Sequence, residues 1–400
     1  MKNNARFHKI VYKIVLPIIR ALSLLIFGFY RPPKPQFDGP LLIISNHVTH
    51  YDYFFVGISL REHLYFVASE HAFRRKYLSR ILRFLFAPIP HSKAALGVST
   101  VLNIKRKLAA GHNVCIFAEG GCSFNGQSIK TVSSTAKVVR SMGVSLATIR
   151  IKGGYFTNPR WGKYLRRGRM VAEWVNVYTP EQLKAMSYEE LDSAINQDIF
   201  VDAYEEVETK RIAYKGKNLA ENIEFTLVMC PQCKQLNRLK SKGNEFFCAC
   251  GLRGKYDVFG GIRGKGFTFR SIKDWDIWQR GAIANLKVPD QQTVLCSDPN
   301  QYLMEVSPDH STRRVAYGEL SLTPSRLTIG QWSSPLRDLS RLALIKQGYI
   351  VFSTRDGHFF EIRNHRQKYA GYLYVLLMER FSKHYDLTRR MYGGLSSIQY

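Results

Sequence analysis

The sequence is short of negative charge. It has 31 Asp and Glu residues against 58 Lys and Arg, which gives a formal net charge of +27 in 400 residues. This surplus predicts an anionic partner, which could be nucleic acid, an acidic membrane surface, an acidic carrier protein or polyphosphate. Internal repeats and low-complexity tracts are also lacking. With 45% hydrophobic residues the chain can build real cores, and its length predicts two or three domains.

Cysteine is scarce as well. Seven residues, unevenly spaced, are too few for a disulfide scaffold, and this favours a reducing cytosolic compartment. Three are scattered: Cys115, Cys122 and Cys296. The other four form two close pairs: Cys230, Cys233, Cys248 and Cys250. Two thiolate pairs about fifteen residues apart are typical of a zinc ribbon. Because such four-sulfur sites are closed, the predicted zinc is structural.

The amino-terminal stretch from Ile10 to Phe29 is apolar but is interrupted by Lys13, Pro17 and Arg20. In a helical projection, the basic and apolar residues of this stretch lie on opposite faces. The basic face carries Arg6, Lys9, Lys13 and Arg20, and the opposite face carries Val11, Leu22, Leu25, Ile26 and Phe29. This pattern predicts a monotopic helix in the interface of an anionic membrane, kinked or divided at Pro17.

Two alternatives for this stretch stay open. A transmembrane span would place Arg20 near the middle of the bilayer, and a soluble helix could instead cover the core. A cleaved signal peptide is not expected, because the sequence at residues 30–33, Tyr-Arg-Pro-Pro, offers no small-residue cleavage site.

Between Phe37 and Tyr178, short apolar runs alternate with helical segments, which predicts an α/β sheet. The predicted strands are Leu41–Ser45, Leu64–Ala68, Asn113–Phe117, Val144–Ile151 and Met170–Val177. The predicted helices are Tyr53–Arg61, Ala72–Phe86, Val98–Ala110 and Thr131–Met142. The second of these helices is rich in Arg and Lys, so it either faces a membrane or has a solvated basic face.

One strand, Leu41–Ser45, leads directly to His47, and Asp52 follows five residues later. Residues five apart do not share a helix face, so the two side chains meet only if the chain leaves the strand, turns and starts a helix near Asp52. The carboxyl end of a strand in an open α/β sheet is where such sites form. A carboxylate on one imidazole nitrogen leaves the other nitrogen as a base. A surface pair or a helix cap would show the same spacing.

This His-X4-Asp pattern after an apolar strand resembles the signature of the glycerophospholipid acyltransferase family, typified by 1-acylglycerol-3-phosphate acyltransferases. Residues 116–123, Ile-Phe-Ala-Glu-Gly-Gly-Cys-Ser, resemble the family's Phe-Pro-Glu-Gly-Thr-Arg-Ser block. Residues 88–93, Pro-Ile-Pro-His-Ser-Lys, resemble its Ile-Pro-Val-Asp-Arg block. The resemblance covers roughly residues 37–180. It implies an acyl-CoA or acyl-carrier-protein donor and the cytosolic membrane face.

The predicted catalytic residues are His47, as general base, and Asp52, which orients it. Glu119 is predicted to bind the acceptor, and the backbone amides near Gly120 and Gly121 to stabilise an oxyanion. Cys122 stands where the family has an arginine, which removes bidentate phosphate recognition. Either another cation substitutes, or the acceptor is not the usual phosphate, or activity is lost.

The candidate substitute cations are Lys93, Lys130 and Arg150, and Arg160 is a further candidate for binding a headgroup or phosphate, unless its loop is packed for stability. Cys122 is also conceivable as an acyl-enzyme nucleophile, although nothing in the sequence places its thiol beside His47.

The carboxyl half begins with acidic helices that start at Pro180 and Tyr188 and close the first domain near Arg211. A helix carries Trp275 and Trp278. Recurring short strands from residue 294 to 362, followed by a helix at 368–381, predict a small β-barrel or sandwich that faintly resembles a pleckstrin-type domain. The predicted division is 1–36, a membrane-associating helix region; 37–215, an acyltransferase α/β domain; 222–258, a zinc ribbon; and 259–400, a mainly β domain with a carboxyl-terminal helix.

The predicted fold class is therefore α/β, an acyltransferase-type mixed sheet flanked by helices, followed by the ribbon and the mainly β domain. The predicted function is that of a membrane-associated O-acyltransferase of phospholipid biosynthesis on the cytoplasmic side. It moves a fatty acyl group from acyl-CoA or acyl-carrier protein to a lysophospholipid such as 1-acylglycerol-3-phosphate, with structural zinc and no catalytic cofactor. One alternative is a catalytically silent lipid-binding module. The other is a zinc-ribbon nucleic-acid-binding protein, which explains the charge but not the His-X4-Asp pattern.

Overall fold

The computed structural model describes residues 5–69, 87–91, 98–132, 134–307, 311–345, 348–364 and 369–382. Two compact units form the chain. The first is Met1–Pro159 with Arg166–Lys215, and the second is Arg160–Leu165 with Gly216–Tyr400. The predicted helix 72–86 and the candidate cation Lys93 lie outside the described residues. The four-part division by sequence stays a prediction.

A mixed sheet forms the centre of the first unit. Its described strands are β1 (Phe29–Tyr30), β2 (Leu41–Ser45), β3 (Leu64–Ser69), β4 (Ile89–His91), β5 (Asn113–Ile116), β6 (Ser145–Lys152) and β7 (Met170–Tyr178). They lie in the order β1-β7-β6-β2-β5-β3-β4, and neighbouring strands are parallel except for β6 and β7. The predicted mixed α/β fold is confirmed.

Helices flank this sheet. They are α1 (Ala5–Phe27), α2 (Asp52–Leu60), α3 (Val98–Ala109), α4 (Thr135–Met142), α5 (Gly154–Thr157), α6 (Pro180–Ala185), α7 (Tyr188–Ile199) and α8 (Ala203–Lys210). The central strand β2 is buried along its whole length because helices cover both faces. Leu41 and Ile43 pack in a cluster with Phe55 of α2, whereas Leu42 and Ile44 pack in a second cluster with Ile195 of α7.

Helix α1 has one face against the domain and one apolar face exposed. Tyr12 and Phe27 are buried, and the Phe27 ring meets the Phe55 ring of α2 edge-on, with centroids 5.3 Å apart. The exposed apolar side chains are Phe7, Ile10, Ile14, Ile18, Leu22, Leu24, Leu25 and Ile26. Pro17 lies inside this one helix and does not divide it into two. Among the described helices, α1 is the one long and apolar enough to cross a membrane.

The predicted apolar face of this helix was wrong at one position. Gly28 follows the helix with a left-handed φ of 67°, which glycine adopts without strain, and so the helix ends at Phe27. Phe29 therefore belongs to β1, where it is buried against Phe55 with ring centroids 4.7 Å apart.

The second unit is mainly β. A four-stranded antiparallel sheet contains β8 (Leu239–Lys242), β9 (Glu245–Cys248), β10 (Arg253–Tyr256) and β11 (Ile262–Arg263). Helix α9 (Ile272–Ala284) follows. A seven-stranded antiparallel sheet then contains β12 (Cys296–Val306), β13 (Thr312–Leu322), β14 (Arg326–Ile329), β15 (Trp332–Pro335), β16 (Leu339–Ile345), β17 (Tyr349–Thr354) and β18 (Phe359–Asn364). Helix α10 (Gly371–Ser382) comes last among the described elements, and the predicted carboxyl-terminal β region is confirmed.

A buried polar network holds α9 in place. The Asp276 carboxylate accepts hydrogen bonds from Arg280 Nε at 2.9 Å and from the Tyr372 hydroxyl at 2.9 Å. Trp275 Nε1 donates to the carbonyl oxygen of Met229 at 2.9 Å, one residue before the first cysteine of the cluster. Trp275 is fully buried, so its ring packs in the core of the second unit.

Candidate active site

The loop between β2 and α2 brings His47 and Asp52 together. Helix α2 starts at Asp52, and His47 Nδ1 lies 2.8 Å from Asp52 Oδ2. The chain therefore leaves the strand, turns and starts a helix where the spacing requires it. Because a carboxylate oxygen only accepts, the Nδ1 atom must carry the proton of this bond, and Nε2 is the nitrogen left for chemistry.

The Asp52 carboxylate is fixed by its own loop. Its Oδ2 atom accepts hydrogen bonds from the backbone N–H groups of Val48 at 2.7 Å and Thr49 at 2.9 Å. Its Oδ1 atom accepts from the Thr49 hydroxyl at 2.6 Å. Asp52 is wholly buried, and these donors offset the cost of burying a charge. The carboxylate therefore has one orientation, and it imposes that orientation on the imidazole.

Asn46 and Gly154 fix the loop to strand β6 and helix α5. Asn46 Nδ2 donates to the carbonyl oxygen of Ile151 at 2.9 Å, and Asn46 Oδ1 accepts from the Ile151 N–H at 2.7 Å. Gly154 lets the backbone approach closely, since a Cβ there would lie 2.4 Å from Val48 Cγ2. Both contacts restrict where His47 can sit.

Glu119 connects the two loops at the carboxyl ends of β2 and β5. Its Oε1 accepts from the His47 N–H at 3.2 Å, and its Oε2 accepts from the Ile129 N–H at 3.2 Å. Burial raises the pKa of the Glu119 carboxyl well above its usual range, whereas the Ile129 hydrogen bond and the His47 charge oppose this rise. Its two oxygens thus hold backbone amides, and acceptor binding by Glu119 stays a prediction.

Cys122 lies against His47. The second loop is fastened to the first by a hydrogen bond from the Ser123 N–H to the His47 carbonyl oxygen at 3.2 Å. This places the Cys122 thiol within hydrogen-bonding reach of the imidazoles of His47 and His50. Cys122 is only 5% exposed. Phe117 covers another side of the base, with its ring stacked on the His47 ring at 4.7 Å between centroids.

The two groups shift each other's pKa. Burial raises the pKa of the Cys122 thiol, but the charge of His47 and hydrogen bonds from His47 and His50 outweigh burial and lower it to about 6. Burial lowers the pKa of His47, but the Cys122 charge and the hydrogen bonds to Asp52 and Cys122 raise it well above its usual value. The two shifts have opposite signs, and both favour a thiolate and an imidazolium over a neutral thiol and imidazole.

The structure also shows the surroundings of Gly120, Gly121 and Arg150, which were predicted to bind the substrate or the oxyanion. The Gly120 N–H donates to the Phe117 carbonyl oxygen at 3.4 Å within a turn, and Gly121 is half-buried beside it. Their amides as oxyanion donors stay a prediction. Arg150 Nε donates to the carbonyl oxygen of Asp198 at 2.7 Å at the end of α7, and another guanidinium nitrogen donates to that of Gln197 at 3.1 Å. These contacts give Arg150 a capping role.

Two further basic residues were candidates. Lys130 is exposed and lies close enough to lower the pKa of the Asp192 carboxyl, which burial raises. Arg160 belongs to the second unit, where it donates to the carbonyl oxygen of Leu344. That contact supports the alternative in which its loop is packed for stability.

The sequence alone did not indicate a role for Asn46, Thr49, Phe117 or Ser123. A signal existed for Thr49, because Ser or Thr three residues before an acidic residue at a helix start is a known local hydrogen-bonding pattern. Asn46 had none, since its partner Ile151 lies on another strand.

The four paired cysteines of the second unit converge. Cys230 Sγ lies 3.7 Å from Cys250 Sγ, and Cys233 Sγ lies 3.8 Å from Cys248 Sγ. All four sulfur atoms lie within 4.8 Å of one another. Tetrahedral sulfur ligands about 2.3 Å from a zinc ion would be about 3.8 Å apart, so the donor set fits this metal.

Comparison with known proteins finds a family match within the first unit. The family model described as Acyltransferase matches residues 29–152, which include β1 to β6 and both loops of the site. The chain therefore carries an acyltransferase-family domain there, and the predicted family is confirmed for these residues. Among solved structures, the chain is similar to the 1-acyl-sn-glycerophosphate (LPA) acyltransferase PlsC from Thermotoga maritima. The TM-score is 0.41 and the identity 19%, over 50% of this chain and 80% of that chain. No curated protein matches.

Proposed function

We propose that the protein is a membrane-associated O-acyltransferase that moves a fatty acyl group from acyl-CoA or acyl-carrier protein to the hydroxyl of a lysophospholipid. The observation that carries this proposal is the contact between His47 Nδ1 and Asp52 Oδ2 at 2.8 Å, inside the acyltransferase-family domain. His47 takes the proton of the acceptor hydroxyl as that oxygen attacks the acyl carbon. Asp52 holds the ring and stabilises its cation, and a base in this position typically contributes about 10²–10⁴-fold in rate.

The substrates follow from charge and family. A net charge of +27 favours donors and acceptors that carry phosphate, and a thioester donor needs no metal or organic cofactor for attack by a hydroxyl. The acceptor proposed first is 1-acylglycerol-3-phosphate, which would place the protein in phospholipid biosynthesis. Since Cys122 replaces the family's arginine, lysophospholipids with other headgroups are equally part of the test.

Membrane association is supported by α1. Its inner face is buried against the domain, whereas its outer face exposes Ile14, Ile18 and Leu25 at 66%, 58% and 66%. A helix that packs along a domain and exposes apolar side chains outward suits the bilayer interface better than a span. Lys9, Lys13 and Arg20 are exposed and would contact anionic lipid on the cytoplasmic side.

A structural zinc is part of the proposal. Cys230, Cys233, Cys248 and Cys250 would hold the ion, which supplies folding free energy to the small sheet β8–β11. Four thiolates complete the coordination, so no position remains for a substrate or water.

The direct test uses purified protein with vesicles that contain one lysophospholipid and either acyl-CoA or acyl-carrier protein. The expected product is the diacyl phospholipid, detected by mass spectrometry. Vesicle binding without product for any donor and acceptor would favour the silent lipid-binding module. Tight, salt-dependent RNA or DNA binding without product would favour the nucleic-acid alternative.

A further inference from the structure

We propose that Cys122 is a nucleophile that takes the acyl group from the donor, so that transfer proceeds through an acyl-enzyme on this cysteine. The inference rests on the proposed function for the identity of donor and acceptor. It goes beyond direct attack of the acceptor on the donor, which needs only His47 and Asp52. The thiol occupies the position of the family's arginine in residues 116–123, so the substitution adds a reactive group where it removes a cation.

The geometry is that of nucleophile, base and orienting carboxylate. Asp52 is bonded to Nδ1 of His47, and Cys122 is hydrogen-bonded to the same imidazole, so Nε2 is the nitrogen available to the thiol. The backbone keeps the thiol in place. The Ser123 N–H binds the His47 carbonyl oxygen at 3.2 Å, and the Ser123 hydroxyl accepts from the Gly126 N–H at 2.9 Å.

The charge state supports the same order of events. The lowered pKa of Cys122, about 6, and the raised pKa of His47 favour a thiolate beside an imidazolium, in agreement with the contact between the two side chains. An imidazolium cannot take a proton from an acceptor hydroxyl, whereas the adjacent thiolate is ready to attack a carbonyl carbon. This ion pair therefore favours acylation of Cys122 as the first step.

The two half-reactions balance. In the first, Cys122 Sγ bonds to the donor carbonyl carbon, the bond from that carbon to the donor sulfur breaks, and the leaving sulfur receives the proton from His47. In the second, the now neutral His47 takes the hydroxyl proton as the acceptor oxygen bonds to the acyl carbon. The bond to Cys122 Sγ breaks, which restores the thiolate and imidazolium. No oxidant, reductant or further reactant is needed.

Cys115 provides the matched control. It lies on β5, close in sequence to Cys122, but it is buried in the core, and burial raises its pKa well above the usual range. A buried neutral thiol is inert toward thioesters. Cys115→Ala should therefore leave acyl-enzyme formation unchanged.

The experiment mixes protein with acyl-CoA in the absence of acceptor, quenches with acid and maps the peptides by mass spectrometry. The expected result is one acyl chain on Cys122, released by hydroxylamine and by added lysophospholipid. The adduct should form in wild type and Cys115→Ala, and should be absent in Cys122→Ala. In His47→Ala, adduct formation should be slower by at least tenfold.

A second readout does not depend on the donor. The rate of alkylation of Cys122 by iodoacetamide should rise with pH to half its maximum near pH 6. The midpoint should move upward in His47→Ala, where the charge and hydrogen bond of His47 no longer oppose burial and only those of His50 remain. Diacyl product without an adduct, at a rate that Cys122→Ala retains, would overturn the inference and leave the proposed function standing. No product from wild type with any donor would overturn the proposed function instead. Alkylation with a midpoint of 8 or above in wild type would also overturn the inference.

Discussion

The single residue on which the site depends most is Asp52. Its carboxylate accepts four hydrogen bonds, from His47 Nδ1, the Val48 and Thr49 N–H groups and the Thr49 hydroxyl. Three of these donors share Oδ2. A helix cap would need the backbone donors alone, whereas this carboxylate is shared between its loop and the imidazole. The same atom therefore stabilises the turn and sets the orientation of the base.

Asp52→Asn tests this shared role. An amide offers one acceptor oxygen and brings an NH2 group that would face the donors now bound by the carboxylate. We expect turnover to fall by about 10²–10⁴-fold, with a smaller change in KM, because orientation of the base matters most in the transition state. We expect unfolding free energy to fall by about 1–3 kcal/mol, because a buried donor loses its partner. Steady-state kinetics and urea unfolding measure the two effects, and unchanged turnover would contradict the assigned role.

Among the secondary-structure elements, helix α1 is distinctive because it has two apolar faces. One packs on α2 through Tyr12 and Phe27, and the other is exposed. The sequence pattern could show the helix and its basic residues, but not which apolar residues the domain would cover. That division depends on α2, whose residues are separated from α1 in sequence.

Replacing Ile14, Ile18 and Leu25 together with Gln should weaken binding to anionic vesicles by at least tenfold, because each apolar side chain contributes roughly 1.5–3 kcal/mol when fully buried. Cosedimentation with vesicles measures the effect. Thermal stability should change little, since the three side chains are already exposed.

The matched control is Val294→Gln, which changes an apolar side chain of similar exposure, 58%, in the second unit. Equal vesicle binding by the triple variant and this control would contradict interfacial binding by α1.

The sequence predicts best the elements that form a continuous buried run. Strand β2 was placed correctly because five consecutive apolar or small residues can be buried on both faces of a sheet. Strands β1 and β4 were not predicted, because two or three residues are too few to show the alternation of apolar and polar residues that is typical of a strand. Helix α4 starts at Thr135 and not at the predicted Thr131, whose N–H donates to Asn196 Oδ1 at 2.8 Å in the segment before the helix.

In the candidate site, too, some contacts could be predicted from the sequence and others could not. The meeting of His47 and Asp52 was predictable from strand, spacing and family resemblance, because all three are local in sequence. The contact of Cys122 with His47 was not predictable, because it depends on β2 and β5 lying side by side in the sheet. Similarly, only the tertiary structure shows that the Glu119 oxygens bind the amides of His47 and Ile129.

The whole molecule combines a mixed α/β unit with a mainly β unit that carries the cysteine cluster. The cluster should hold about one zinc ion per chain. Cys233→Ser should lower that content to near zero and lower the melting temperature of the second unit, since the ion contributes folding free energy. Metal analysis and calorimetry measure both effects. Cys296→Ala, which changes a buried cysteine of the same unit outside the cluster, should retain the metal. Zinc content far below one in the wild type would contradict the ribbon.

The most direct measurement is acyl transfer to a lysophospholipid in vesicles by wild type, His47→Ala and His358→Ala under identical conditions. His358 is an exposed histidine of the second unit, and its Nδ1 atom lies 2.6 Å from Glu305 Oε1. Its removal should leave the rate unchanged. Removal of His47 takes away the group that gives a proton to the donor sulfur and accepts one from the acceptor hydroxyl. The expected loss is at least about 10²-fold. Equal, non-zero rates for wild type and His47→Ala would contradict the account.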